Sequence, residues 1–227
     1  MIRPGWTVLV PVKALHRAKT RLRPSTGRDT AALALAFALD TVEAAGRARG
    51  VGTVHVVTSD PLVAAEAVGM GAAVLPDLGG GDLNLAVSRA AELLTGSDAG
   101  LGLAVLPADL PGLAPVDLDL ALAAAAAHGR AFLPDAQGAG TTLLTARAGH
   151  RLRPRYGPGS AAAHQAEGAH PLGVPAPTVR ADVDRWADLR ALSHGSCGQR
   201  TREWLDGHPA RRVGRGPPGR VAAPRAR

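Results

Sequence analysis

Two aspartates, Asp182 and Asp184, stand two positions apart around Val183 toward the end of the 227-residue chain. In an extended segment, side chains at i and i+2 point to one face, about 7 Å apart. Two carboxylates so placed repel each other unless a cation joins them. Magnesium suits that role, because it takes few protein carboxylates and completes its octahedron with water and phosphate oxygens. A third carboxylate, Asp109, follows an apolar run and lies between two prolines in Leu106-Pro107-Ala108-Asp109-Leu110-Pro111. The fixed φ of proline presents it stiffly. Near the N-terminus, Lys13, Arg17, Lys19, Arg21, Arg23 and Arg28 share one stretch without a single acid. Cations placed before a helix start form a phosphate site. Basic loop and carboxylates together suggest a site for a nucleoside triphosphate with magnesium.

A second group of residues offers hydroxyls and backbone rather than charge. Gly157-Pro158-Gly159-Ser160 opens a helix, where glycines admit a ligand to the backbone and unpaired N–H groups favour an anion. Thr141 and Thr142 add hydroxyls from a neighbouring strand. His164 reads either as polar lining of this pocket or as a residue on the helix surface. It needs no proton-transfer role, since a phosphate acceptor requires no base at neutral pH. The other histidines lack metal-ligand spacing, and one cysteine, Cys197, excludes an intrachain disulfide and a cysteine zinc cluster. A passive thiol is its expected state. Neither a G-x-x-x-x-G-K-[ST] loop, an intact G-x-G-x-x-G nor a G-x-S-x-G elbow occurs, which argues against P-loop, dinucleotide-fold and serine-hydrolase chemistry.

The elements that must position these residues alternate. Apolar β-branched runs at 6–12, 51–58, 72–75 and 101–106 read as strands. Helical patterns follow at about 30–45 (capped by Asp29 or Thr30), after Pro61, and at 83–94 beyond a flexible Gly79-Gly80-Gly81-Asp82 loop. Such βαβ spacing calls for a parallel sheet covered on both faces, with ligands at the carboxyl ends of its strands. The loops at 13–28, 76–82 and 107–111 are therefore the informative ones. After a helix at 116–128 the rhythm changes. Strands at 131–134 and 141–145 flank a Gly138-Ala139-Gly140 turn, a helix runs from 160 to about 168, and a strand leads into 179–184. Helices at 185–192 and 199–205 close the domain. The expected fold class is α/β, a single Rossmann-like domain over residues 1–206.

The formal net charge of +7 is misleading, because six arginines between 207 and 227 account for all but about +1 of it. That tail, rich in proline and glycine, reads as disordered and solvated rather than as a nucleic-acid binder. No apolar stretch reaches the roughly 18 residues that would cross a bilayer, and Lys13 interrupts any signal-peptide core. The expected location is the cytoplasm, with no membrane and no nucleic-acid partner.

Taken in order, the segments Val10-Pro11-Val12-Lys13, Ala18-Lys19-Thr20-Arg21-Leu22, Leu106-Pro107-Ala108-Asp109-Leu110-Pro111, Gly140-Thr141-Thr142, Gly157-Pro158-Gly159-Ser160 with His164, and Asp182-Val183-Asp184 resemble a known family. It is the 2-phospho-L-lactate or phosphoenolpyruvate guanylyltransferases of coenzyme F-420 biosynthesis. The resemblance spans nearly all of residues 6–190. It implies a mixed sheet of the nucleotide-diphospho-sugar transferase (GT-A) type with helices on both faces. It implies transfer of GMP from GTP to phosphoenolpyruvate or 2-phospho-L-lactate, with release of pyrophosphate. Residues matching Thr142, Gly157 and Ser160 hold phosphoenolpyruvate in that family, and those matching Asp109, Asp182 and Asp184 look like its Mg2+ carboxylates. Lys13, Lys19 and Arg21, with Asp109, would serve the reacting phosphates, and residues 76–84 lie where related transferases recognise the base. The resemblance also implies hand-off of the product to the downstream transferase of the pathway. Ala139 departs from the family, whose members often carry a polar residue there. Rival readings are a nucleotidyltransferase acting on a sugar phosphate or a pterin cofactor, and a non-catalytic nucleotide-binding regulator.

Overall fold

The computed structural model describes residues 5–15, 30–98, 100, 102–192 and 194–208. Lys19 and Arg21, the rest of the basic stretch beyond residue 15, and the tail from 209 lie outside them. Seven strands form one sheet in the order β3-β2-β1-β4-β6-β5-β7. They are β1 (Trp6–Pro11), β2 (Val51–Thr58), β3 (Ala73–Pro76), β4 (Leu103–Val105), β5 (Arg130–Pro134), β6 (Thr141–Ala146) and β7 (His170–Pro171). The first four pair in parallel, β6 inserts antiparallel between β4 and β5, and β7 runs parallel to β5. The expected mixed sheet is the one found.

Alternation along the strands explains why both faces must be covered. Val8 and Val10 join Val54, Val56 and Ala104 in one core, while Leu9, Val57, Leu103 and Val105 face another. Helices α1 (Thr30–Arg47), α2 (Pro61–Gly69) and α4 (Pro115–Ala125) cover the first through Ala38, Val42, Val63, Leu118 and Leu122. Helices α3 (Leu83–Ser97) and α5 (Ser160–Ala166) cover the second through Val87, Ala90 and Ala161. Each of the larger side chains, fully buried, contributes roughly 1.5–3 kcal/mol. A third, small core joins Leu33 and Phe37 of α1 to Val183, to Leu189 of α6 (Trp186–Ala191) and to Trp204 of α7 (Gln199–Gly207). Asp40 of α1, 4% exposed, accepts the N–H groups of Arg200 and Thr201 and so caps α7, whose own N-cap is Gly198. Burial of Cys197 beside it pushes the thiol pKa up, in keeping with a passive thiol.

Two local expectations need correction. The segment before Asp182 is not a long strand: β7 has two residues, a 3-10 turn covers Pro177–Val179, and the chain is irregular from there to Asp184. Pro171, Pro175 and Pro177 remove the donors that a ladder would need. The turn at 79–82 is tied rather than flexible. Asp77 Oδ1 accepts the Gly79 N–H, the Asp82 N–H donates to the Gly79 carbonyl, and Asp82 caps α3 through the N–H groups of Asn84 and Leu85. A Cβ on Gly79 would stand 2.3 Å from the Asp82 carbonyl oxygen, so the close turn requires glycine.

Candidate active site

The sheet's registers bring the chemistry to one edge. β1, β2, β3 and β4 all end there, and pairing of Val105 with Leu144 and of Pro134 with Thr141 places the start of β6 and the end of β5 on the same edge. Lys13 follows β1 at this edge and is exposed. Asp109 follows β4 and is half-buried, on a loop pinned by the Leu110 N–H to Thr41 Oγ1 at 3.2 Å. The Val183 N–H donates to the Asp109 carbonyl at 2.9 Å, which docks the irregular 180–184 segment against that loop. Val183 is fully buried, whereas Asp182 is half-buried and Asp184 exposed. The buried valine thus fixes the segment and leaves its two carboxylates on the open side.

Electrostatics report the same gathering. Burial, followed by the neighbouring carboxylates of Asp109 and Asp184 and then Asp135, pushes Asp182 up to about 6. These oxygens are the candidates for holding a cation. Among the described residues no group of three or more His, Cys, Asp or Glu side chains closes on one point as a ready metal cage.

Asp135 was not singled out from the sequence. It is 9% exposed, and its carboxylate accepts the Ala139 N–H at 3.0 Å and the Gly140 N–H at 2.8 Å. The Gly138-Ala139-Gly140 turn is therefore wound round a buried carboxylate. A Cβ on Gly140 would lie 2.4 Å from Asp135 Oδ2. The turn passes its order onward, because the Ala161 N–H of α5 donates to the Ala139 carbonyl at 3.1 Å. Arg180 Nη2 donates to the Asp135 carbonyl at 3.0 Å, and the Ala136 N–H donates to the Arg180 carbonyl. The turn is thereby joined to the segment that carries Asp182. An aspartate with glycines three and five residues on is the sequence signal that could have found it.

In the Gly157-Pro158-Gly159-Ser160 loop both glycines have positive φ, 139° at Gly157 and 72° at Gly159. Gly157 is exposed, and the Ser160 N–H closes a turn onto its carbonyl. Ser160 is 3% exposed. Thr142, also expected here, is 1% exposed, and its hydroxyl lies 3.5 Å from the Leu133 carbonyl of β5, so it faces the neighbouring strand. His164 is no surface residue: it is wholly buried, with Nδ1 2.9 Å from Thr141 Oγ1 and Nε2 accepting the Arg155 N–H at 2.8 Å. A nitrogen that accepts carries no proton, so Nδ1 holds it, within reach of Thr141 Oγ1 and of the Ser160 main chain. Burial, then the nearby Arg155 charge, pushes His164 down to about 4 and keeps this tautomer neutral. The ring packs edge-on to Tyr156. A cavity of about 500 Å³ lined by Glu43, Arg47, Gly71 and Arg200 lies at the amino end of β2, away from this edge.

Lys13 after β1, Asp109 after β4 with the 182–184 segment docked on it, and a glycine loop on the same edge of a mixed sheet are the arrangement of a nucleotidyltransferase with the nucleotide-diphospho-sugar transferase fold. Solved structures share the fold. A 4-diphosphocytidyl-2C-methyl-D-erythritol synthase superposes with a TM-score of 0.59 at 15% identity, over 83% of this chain and 97% of that one. A cytidylyltransferase from Leptospira borgpetersenii gives 0.52 at 15%, over 91% and 96%. The chain belongs to the family described as guanylyl transferase CofC like, whose model matches residues 6–207. Similar relatives are the phosphoenolpyruvate guanylyltransferase of Thermomonospora curvata, 46% identical over 86% of each chain, and that of Streptomyces scabiei, 49% identical over 86% of this chain and 94% of the other. No described helix is long and apolar enough to cross a membrane.

Proposed function

We propose that this chain transfers GMP from GTP to phosphoenolpyruvate, releasing pyrophosphate and forming enolpyruvoyl-2-diphospho-5'-guanosine for coenzyme F-420 biosynthesis. The observation that carries the reading is the docking of the Asp182–Asp184 segment on the Asp109 loop through the Val183 N–H, on the edge that also bears the Gly157–Ser160 loop. The identity of 46–49% to relatives of that activity supports the choice of acceptor. A phosphate oxygen of phosphoenolpyruvate attacks the α-phosphorus of GTP in line. The bond from that phosphorus to the bridging oxygen breaks, and pyrophosphate departs. Rate then comes from positioning and charge neutralisation rather than covalent work by the protein.

Lys13, with Lys19 and Arg21, holds the triphosphate and offsets charge on the leaving group. Asp109, Asp182 and Asp184 would hold Mg2+. Their oxygen-only chemistry fits that ion, which needs only one or two protein carboxylates besides water and phosphate. When bound, magnesium supplies positive charge against the phosphate oxygens. The Gly157 backbone and Ser160 place the acceptor beside the start of β6, where Thr142 stands with its hydroxyl turned to the Leu133 carbonyl, and the 76–84 segment lies on the side of the base. The product passes to a downstream transferase, and both steps take place in the cytoplasm.

The test is pyrophosphate release from GTP with phosphoenolpyruvate, 2-phospho-L-lactate and 3-phosphoglycerate offered separately, with mass analysis of the products and a downstream enzyme to pull the equilibrium. A GMP adduct of phosphoenolpyruvate alone is expected. Adduct formation with either other acid in its place would reassign the acceptor, and none with any of them would overturn the reading.

A further inference from the structure

Asn84, the second residue of α3, turns its side chain to a residue 72 positions away. Its Nδ2 donates to the Tyr156 carbonyl at 3.0 Å, and the Tyr156 N–H donates back to its Oδ1 at 2.6 Å. The carboxamide thus completes a two-bond rung with the backbone and has both ends committed. One residue earlier, the Arg155 N–H is taken by His164 Nε2. Two successive amides just ahead of Gly157 therefore hang from side chains of two different helices, Asn84 of α3 and His164 of α5. This matters because Gly157 and Gly159 confer the freedom the loop needs but cannot restrain it. Asparagine is the residue the rung requires, since one end must donate and the other accept. An aspartate would set a carboxylate against the Tyr156 carbonyl.

Asn84 also belongs to the 76–84 segment at the end of β3, on the side of the cleft expected to face the base. Its main-chain N–H is already held by Asp82 Oδ1 at 2.8 Å. We propose that Asn84 is a positioning residue for the acceptor, setting Gly157 and Ser160 from the nucleotide side of the cleft, and not a reader of the base. The proposal rests on the guanylyltransferase reading above.

The experiment is steady-state kinetics of Asn84→Ala with each substrate varied in turn, GTP compared with ATP, and the melting temperature followed in parallel. Loss of the two part-buried bonds of the rung should raise the phosphoenolpyruvate KM about tenfold, roughly 1.4 kcal/mol. The GTP KM should stay within about twofold of the wild type, with the preference for GTP over ATP unchanged. Asn84→Asp, of the same size, should fold normally and raise the same KM. A higher GTP KM or a weaker GTP preference with the acceptor KM unmoved would make Asn84 a base reader and overturn the proposal. Unchanged KM values for both substrates, or equal losses in both accompanied by a lower melting temperature in both variants, would also overturn it. Wild-type protein that forms no adduct would bring down the functional reading and this proposal with it; wild-type turnover with indifferent variants would count against this proposal alone.

Discussion

The two halves of the cleft are built on opposite electrostatic principles. On the acceptor side, polar groups are matched within the protein: Asp135 with the Ala139 and Gly140 amides, His164 with Thr141 and Arg155, Asn84 with Tyr156. On the acidic side, carboxylates face one another, and burial with that repulsion pushes Asp182 up to about 6. Matched groups hold a shape before any ligand arrives. Mutually repelling ones store a demand for positive charge that a cation–nucleotide complex would meet. The contrast teaches that placement and charge compensation are handled by separate elements of the fold. Substitutions on each side should therefore fail in different ways.

The largest effect is expected on the acidic side. Asp109→Asn should lower kcat by about 10²–10³ with the melting temperature preserved, as loss of one preorganised electrostatic group does elsewhere. Parallel rate and melting measurements check both halves of that statement. Next comes Gly140→Ala, whose added methyl meets Asp135 Oδ2 at 2.4 Å and must loosen the carboxylate that holds the turn. A destabilisation of about 1–3 kcal/mol by denaturant titration is expected, with a raised acceptor KM. Ser160→Ala should raise the acceptor KM about tenfold and that of GTP much less. Equal effects on both would erase the distinction between the two sides.

A separate effect, on stability and not on either substrate, concerns pH. His164 is pushed down to about 4 in the folded protein, below its ordinary 6.5. Between those values the unfolded chain takes up a proton that the folded one refuses. Stability is then lost as pH falls from about 6.5 towards about 4 and is unaffected above that window. Melting curves should show a steeper fall over this range in the wild type than in His164→Gln, which cannot titrate.

How much of this was legible in the sequence depended on whether a residue's role is local. The strands β1 to β4 announce themselves as apolar β-branched runs because burial on both faces demands them. The Asp109 loop was visible because proline acts over a few residues, and the Asp182-Val183-Asp184 spacing was visible as a pattern, although the segment is irregular and not the strand it suggested. β7 was overread, since the prolines that cut it to two residues lie within an apolar stretch. Asp135, Asn84 and the burial of His164 were hidden for a different reason. Their partners lie in other parts of the chain or on a turn whose hand only the folded backbone reveals. Thr142 shows the same limit, because its hydroxyl is evident from residue type while the strand it faces is not.

The most direct measurement of the division between the two sides is adduct formation by Asp184→Asn across a magnesium titration, with phosphoenolpyruvate varied at each concentration. The account predicts that turnover is lost at every acceptor concentration, while phosphoenolpyruvate still binds the folded variant with near wild-type affinity by calorimetry. Near-normal turnover at ordinary magnesium, or loss of acceptor binding in place of turnover, would contradict it.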